Sequence, residues 1–306
     1  MSEKKIKVLL SAYNGEKYIE EQVDSILHQT FQNFELYIRD DGSTDETLKV
    51  LDKYQQDPRV HIIPGENVGF IRSFFALVSQ CGEADYYAFA DQDDAWFPEK
   101  LAMALEKIEP AEKDNPQEPL LYFSNYDFYD GDMNFRAHGK SPTQQPNFQN
   151  ALVECMTLGF NSVFNRAAHE ILCKNIPQHS CGHDWWTYMV CVGLGKVIYD
   201  DRPTVCYRRH EKNVSPGGMS FFKFQVWRFK KFFKNRYFRN VREQLKEYQS
   251  LYGSQLSPEN QKLLKLFCRE HYSLGNALKK TFHPGRFRTA WTDELMVRII
   301  FLIGQL

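Results

Sequence analysis

The first hundred residues alternate short apolar runs with amphipathic ones. Ile6 to Ser11 is apolar and β-branched, which predicts a strand covered on both faces. Between Tyr18 and Leu27 the apolar positions Tyr18, Ile19, Val23, Ile26 and Leu27 recur at helical spacing. Phe34 to Ile38 predicts a second strand that ends in the turn Asp40-Asp41-Gly42-Ser43. Ser43 or Thr44 is then positioned to cap a helix running to about Tyr54, with Glu46 in its first turn. Val60 to Ile63 predicts a third strand, and Asn67 to Val78 a loop leading into a third helix. Tyr86 to Ala90 predicts a fourth strand, which stops at Asp91-Gln92-Asp93-Asp94. This alternation predicts an α/β fold: a mostly parallel sheet flanked by helices, with its ligands beyond the carboxyl ends of the strands.

Further along, the charged stretch Pro110 to Pro119 reads as a surface loop and Leu120 to Tyr126 as a strand. Residues 127–150 read as an irregular excursion, followed by a mixed region to Tyr207. From about Pro216 the pattern turns helical and basic, which places a domain boundary there and divides the chain into 1–215 and 216–306. A length of 306 residues suits one large and one smaller domain. The formal net charge of −1 gives no bulk electrostatic support for general nucleic-acid binding. Seven cysteines, odd in number and without a Cys-x-x-Cys pair, argue against a disulfide framework or zinc ribbon and for a reducing cytosol. The apolar run after the N-terminus is too short for a signal peptide. No stretch approaches the ~20 apolar residues of a spanning helix, so the expectation is a soluble or peripheral protein.

Two acidic clusters end predicted strands. Asp91 and Asp93 are carboxylates at i and i+2, hard-oxygen donors suited to Mg²⁺ or Mn²⁺ on a diphosphate leaving group. The apolar run Tyr86 to Ala90 before them and Trp96-Phe97-Pro98 after them make a plain solvated turn less apt. Asp40-Asp41-Gly42-Ser43-Thr44-Asp45 is a strand-to-helix turn with one aspartate more than capping requires. A carboxylate at that strand end can accept from the N3–H of a pyrimidine.

Ser11-Ala12-Tyr13-Asn14, Leu27-His28-Gln29-Thr30-Phe31, Asp40 to Asp45, Asn67-Val68-Gly69 and Asp91 to Asp94 together resemble, in order and spacing, the family 2 glycosyltransferases. The match is dense over the first hundred residues and thins out to about residue 215. The resemblance implies the GT-A fold, inverting transfer and a nucleotide-sugar donor. It assigns Ser11, Tyr13 and Asp41 to the base, Asn67 to the nucleotide, Asp91 to the ribose or diphosphate and Asp93 to the metal. Arg72 becomes a diphosphate contact.

An inverting transfer needs a base that takes the acceptor hydroxyl's proton. In Gly182-His183-Asp184-Trp185-Trp186 the carboxylate Asp184 suits that task, and His183, Trp185 and Trp186 read as an acceptor or sugar platform. The competing reading is a helix cap followed by core tryptophans. The family more often has Glu-Asp at this place, so His183 is a departure. In Tyr207-Arg208-Arg209-His210-Glu211-Lys212-Asn213-Val214-Ser215, resemblance makes His210 a metal ligand, while Arg208 and Arg209 are suited to phosphate oxygens. This run is similar to a Tyr-Arg-x-His-x-x-Asn-x-Ser pattern of bacterial rhamnosyltransferases, which favours dTDP-L-rhamnose as donor, with a UDP-hexose as the alternative.

Met219 to Arg242 holds eight basic residues, nine aromatics and no acid. On a helix Phe222, Val226, Phe229, Phe233 and Tyr237 form one apolar stripe, while Phe224, Trp227 and Phe238 fall outward among cations. That pattern fits an anionic membrane surface better than RNA. A last helix from Asp293 to Leu306 is expected to dock beside it or to join two subunits as a homodimer. The whole predicts a cytoplasmic enzyme, peripheral at the inner face of a bacterial membrane, acting on a lipid-linked glycan. Its rivals are a non-catalytic carbohydrate- or membrane-binding module and a sugar nucleotidyltransferase. The latter would carry a Gly-rich, Arg-containing loop where Ser11 to Asn14 stands.

Overall fold

The computed structural model describes residues 4–113, 115–210, 237–269 and 271–306. They form two compact units interleaved along the chain. The first is Met1–Ser141, Thr157–Ile176 and Gly195–Arg209; the second is Pro142–Met156, Pro177–Leu194 and His210–Leu306, each taken over its described residues. The boundary expected at Pro216 lies outside the described residues. Residues 142–156 and 177–194, read from the sequence as part of the catalytic domain, group with the C-terminal helices.

The first unit opens as β1 (Ile6–Ala12), α1 (Ile19–Leu27), β2 (Phe34–Asp40), α2 (Thr47–Asp52), β3 (Val60–Pro64), α3 (Phe70–Gln80) and β4 (Tyr86–Asp91). It continues as β5 (Ala95–Trp96), α4 (Lys100–Glu112), β6 (Leu120–Asp130) and β7 (Phe135–His138). After an excursion through the second unit it resumes with β8 (Ser162–Asn165), α6 (Arg166–Lys174) and β9 (Lys196–Arg209). The sheet order is β3-β2-β1-β4-β8-β6-β9-β5, with β7 on β6. The first four strands pair in parallel, as the alternating pattern requires. Beyond β4 the sheet is mixed: β8 runs antiparallel to β4 and β6, while β9 is parallel to β6.

Strand alternation divides the core. Ile6, Val8, Leu10 and Ala12 share one cluster with Ile19, Val23 and Ile26 of α1 and Leu101, Ala104 and Ile108 of α4. On the opposite face Phe89 of β4 meets Phe74 of α3 edge-on, and Tyr87 stacks on His169 of α6 at 3.8 Å between ring centroids. Helices therefore cover both faces, which is why β1 and β4 are almost uniformly apolar.

Two local expectations change. Helix α4 continues through Pro110 to Glu112, because burial of Ala104, Leu105 and Ile108 holds it and a proline that near the end forfeits only one backbone bond. Helix α2 starts at Thr47 and not at Ser43 or Thr44. Both residues are engaged elsewhere: Asn14 N–H donates to Ser43 Oγ (2.9 Å) and Thr44 N–H donates to Asn14 Oδ1 (2.8 Å).

The second unit is helical: α5 (Phe148–Ala151), α7 (His183–Leu194), α8 (Tyr237–Tyr252), α9 (Pro258–Phe267), α10 (Leu274–Thr281) and α11 (Trp291–Leu302). Helix α7 buries His183, Trp185, Trp186, Thr187, Tyr188, Met189, Val190 and Cys191, so it is apolar nearly all round and needs cover on every side. Helix α8 supplies part of that cover: Tyr248 Oη donates to the Met189 carbonyl at 2.9 Å, and Tyr248 and Tyr252 pack on Trp186. Phe238, expected to face outward, is buried in this unit. The rest of the predicted amphipathic stripe, Phe222 to Phe233, lies outside the described residues. Among the described residues no helix is long and apolar enough to cross a membrane.

Candidate active site

The parallel register sets the carboxyl ends of four strands level. Ser11 pairs with Arg39 on one side and Asp91 on the other, and Ala12 pairs with Asp40, which pairs in turn with Pro64. The loops after β1, β2, β3 and β4 thus start from one edge, where the acidic clusters were expected to meet.

Side chains tie those loops together. Gln92 reaches back to the β1 loop, accepting from Tyr13 N–H (2.8 Å) and donating to the Tyr13 carbonyl (3.0 Å). This fixes the Tyr13 backbone, and the residue is 45% exposed. Asn14 adopts φ 49°, a left-handed conformation that asparagine tolerates, and bridges to the Ser43-Thr44 turn. Gln22 of α1 donates to the Asp91 carbonyl at 2.8 Å. Gln92 and Asn14 stand inside recognised motifs, yet nothing in their spacing marks them as cross-loop ties.

Asp41 is buried and heavily occupied. It pairs with the Arg39 guanidinium, Oδ1 accepts from Val68 N–H and Oδ2 from Gly69 N–H, both at 2.9 Å. Arg39 also donates to the Glu66 carbonyl (2.9 Å) and to Ser73 Oγ (3.0 Å), while Ser11 Oγ donates to the same Ser73 hydroxyl at 2.6 Å. One connected network therefore runs from β1 through α3 and β2 to the 66–69 loop. Asp41 acts first as a strut for that loop, and contact with a base, as the resemblance implies, would fall to Oδ2. Gly42 (φ 77°) lets the turn pass so close to Asn67 that a Cβ would meet the Asn67 backbone nitrogen. Asn67 and Arg72 are exposed beside it.

The loop after β4 carries the densest charge. Asp91 and Asp93 are half-buried and Asp94 fully buried. Asp94 Oδ1 accepts from the backbone N–H of Arg208 at 3.0 Å. Burial, then the negative charges of Asp93 and Asp91, hold its carboxyl well above the usual carboxylate range. Lys100, also fully buried, lies 4.7 Å from the Trp96 ring centroid. Burial pushes its ammonium down to about 7, against the attraction of Asp94.

Arg208 was expected at a phosphate. The structure instead buries it as a brace: Nε donates to the Asp93 carbonyl (2.9 Å), Nη1 to the Gly131 carbonyl (3.1 Å) and Nη2 to the Glu21 carboxylate. Its guanidinium lies 4.6 Å from the Tyr18 ring centroid. With its side chain only 3% exposed it is not open to a diphosphate. Arg209 is exposed, 3.8 Å from the Phe128 centroid, and His210 is the first residue after β9.

For a divalent cation the donor set fits. Asp91 and Asp93 present oxygen ligands whose negative charges, after burial, help raise the Asp94 carboxyl, and a cation held by the first two would offset those charges. Among the described residues no group of three or more His, Cys, Asp or Glu is placed to hold a metal ion by itself.

In the second unit, Asp184 sits half-buried in the first turn of α7. A Cβ on Gly182 would fall against Asp184 Oδ1, so the glycine leaves room for the carboxylate. The expected platform of His183, Trp185 and Trp186 is corrected: all three are core residues. Trp185 Nε1 donates to the Ala151 carbonyl at 2.8 Å, and Trp186 is fully buried against Tyr248 and Tyr252. A sugar has no access to rings in that position. Burial drives His183 down to about 3, so it is neutral at physiological pH.

The chain matches the family model described as glycosyl transferase family 2 over residues 7–172. It is 31% identical over 230 residues to the dTDP-rhamnosyl transferase RfbG of Shigella flexneri, covering 69% of this chain and 75% of that protein. It is 32% identical over 136 residues to the glycosyltransferase GlyG of Streptococcus pneumoniae, 44% of each chain. Among solved structures it resembles S. aureus TarS in complex with UDP-GlcNAc, with TM-score 0.56 at 18% identity over 90% of this chain and 81% of that one. A mannosyltransferase from Pyrobaculum calidifontis, in complex with GDP-Man and Mn²⁺, has TM-score 0.52 at 15% identity over 100% of this chain and 88% of that one. These likenesses show the GT-A fold.

Two predictions follow from the site's construction. Arg39→Met leaves Asp41 buried without its cation and is expected to cost about 3 kcal/mol. It should also speed amide exchange at residues 66–69, read by hydrogen-exchange mass spectrometry; unaltered exchange there would dismiss the strut. The second concerns His183, whose folded pKa of about 3 lies below its ordinary 6.5. Unfolded chains take up this proton first, so the stability it contributes is complete above pH ~6.5 and is lost as pH falls toward 3. His183→Asn is expected to remove roughly 3 kcal/mol of the stability lost between pH 7 and pH 4. Parallel acid branches for the two proteins in urea titrations would contradict this.

Proposed function

The chain belongs to glycosyl transferase family 2, and from that premise we propose that it transfers L-rhamnose, with inversion, from dTDP-β-L-rhamnose to a lipid-linked glycan. One observation carries the placement of the donor site: the register that sets Ser11, Asp40 and Asp91 at one sheet edge. Ser11, Tyr13, Asp41 and Asn67 hold the nucleotide there, with Arg72 and Asp91 toward the diphosphate. Asp93 and His210 are the ligands for Mn²⁺ or Mg²⁺, a cation whose positive charge, when bound, stabilises the departing diphosphate. The rhamnose assignment is supported by the similarity to a dTDP-rhamnosyl transferase and by the Tyr207 to Ser215 run.

Asp184 is the base in this reading. Its carboxylate takes the proton of the acceptor hydroxyl as that oxygen attacks C1 from the face opposite the leaving diphosphate. Neutral His183 beside it, buried in the helical core, adds no competing charge. The enzyme works at the inner face of the membrane, to which the basic aromatic segment 219–242 contributes attraction.

Asp184→Asn is expected to lower transfer by roughly 10²–10⁴-fold while nucleotide affinity stays within about twofold. Turnover equal to wild type would take Asp184 out of the role. Among dTDP-rhamnose, UDP-glucose, UDP-galactose and UDP-GlcNAc, the first is expected to raise the melting temperature most in the presence of Mn²⁺, an increment that EDTA abolishes. A larger increment with a UDP-hexose would overturn the rhamnose donor, and an increment insensitive to EDTA would overturn the metal.

A further inference from the structure

The last two helices of the second unit leave a large apolar surface uncovered. On α11, Trp291, Leu295, Ile299 and Leu302 recur at i, i+4, i+8 and i+11 and are all exposed, joined by Ile303 just beyond the helix. Leu274, Leu278 and Phe282 form the corresponding stripe on α10 and its C-cap. The exposures are high for such side chains: 73% at Trp291, 65% at Leu295, 61% at Leu274 and 75% at Phe282. Scattered apolar residues need no explanation, but two stripes on adjoining helices do.

Neither stripe lacks an inner partner. The opposite faces of the same helices are already packed, through Ala277 on α10 and through Val297, Ile300 and Phe301 on α11. Phe301 closes a ring cluster with Phe267 and Phe287. The helices also hold each other: Thr281 Oγ1 donates to the Arg298 carbonyl at 3.3 Å, and Tyr272 Oη to the Leu302 carbonyl at 2.9 Å. The outward stripes are therefore surplus to the fold.

Charge says what suits them. Residues 271–306 contain five lysines and arginines against two acids, Asp293 and Glu294. Asp293 pairs with Arg288, and Glu294 is buried against Arg298, so no acid in this stretch is exposed. Lys279 is exposed, and Arg286 lies 4.4 Å from the Trp291 ring centroid, at the turn where Phe282 and Trp291 both project. Apolar stripes bordered by cations and aromatic rings, with exposed acids missing, match the headgroup zone of an anionic bilayer. At 8 and 12 residues the helices are too short to cross it and would lie in its plane.

We propose that the α10–α11 hairpin is a docking surface for an anionic phospholipid membrane, its apolar stripes entering the interface and Lys279 and Arg286 meeting lipid phosphates. It rests neither on the donor sugar nor on the transfer reaction.

The test is co-sedimentation of the full chain with phosphatidylcholine vesicles, with and without phosphatidylglycerol. Wild type should partition to the anionic vesicles. The triple variant Trp291→Ser, Leu295→Ser, Ile299→Ser should lose about tenfold or more in partitioning, and Phe282→Ser a smaller part of it. Melting temperature and dTDP binding should be unchanged in both, since these side chains project outward. Three results would overturn the proposal. One is full binding by the triple variant while Lys230→Gln, Lys231→Gln, Lys234→Gln abolishes it; another is equal binding to neutral and anionic vesicles. The third is a wild-type dimer in sedimentation velocity that the triple variant converts to monomer, which would make the face a contact between copies.

Discussion

A buried carboxylate at the end of β4 organises the acidic loop. Asp94 has no solvent to share its charge with, and its neighbours Asp91 and Asp93 are also carboxylates. It is tolerated because the Arg208 backbone donates to it and because burial and its neighbours favour its neutral form. The same residue's side chain grips the Asp93 carbonyl, Gly131 and Glu21. A strand more than a hundred residues later in the chain thereby fixes the backbone from which Asp91 and Asp93 project. Their positions are set by this brace before any ligand arrives, which is how a site gains from preorganisation.

The same economy of design recurs at the neighbouring loop. Asp41 and Arg39 neutralise each other in a dry setting, and their remaining hydrogen-bonding capacity is directed at backbone groups of 66–69. A lone buried charge would be costly, whereas a pair with further partners is affordable and directional. Ser11 and Ser73 extend the network into β1 and α3. The edge of the sheet is therefore a set of loops held by buried polar ties, with Tyr13, Asn67 and Arg72 left exposed.

The helical unit is built on a different constraint. Helix α7 is apolar on nearly every side, so it needs cover from several helices, and α5 and α8 contribute through Trp185, Trp186 and Tyr248. Asp184 is the exception on that helix, half-buried at its first turn. A rigid core under a single carboxylate suits a group whose orientation matters more than its mobility.

Strand and helix positions in residues 6–91 were legible because local periodicity reports which faces are buried, and the sheet there is covered on both. The acidic clusters were legible too, since two adjacent or alternating aspartates at a strand end exceed what a turn needs. What the chain's pattern could not show is who meets whom. Arg208 and an exposed phosphate-binding arginine have the same local sequence signature; only the return of β9 beside the β4 loop buries its donors. Trp185 and Trp186 likewise read equally well as a sugar platform or a core, and the cover supplied by α5 and α8, distant in sequence, decides for the core. Local sequence determines which residues form an element and which face is apolar. Tertiary structure alone decides what covers that face, because burial is a property of contacts between segments far apart in the chain.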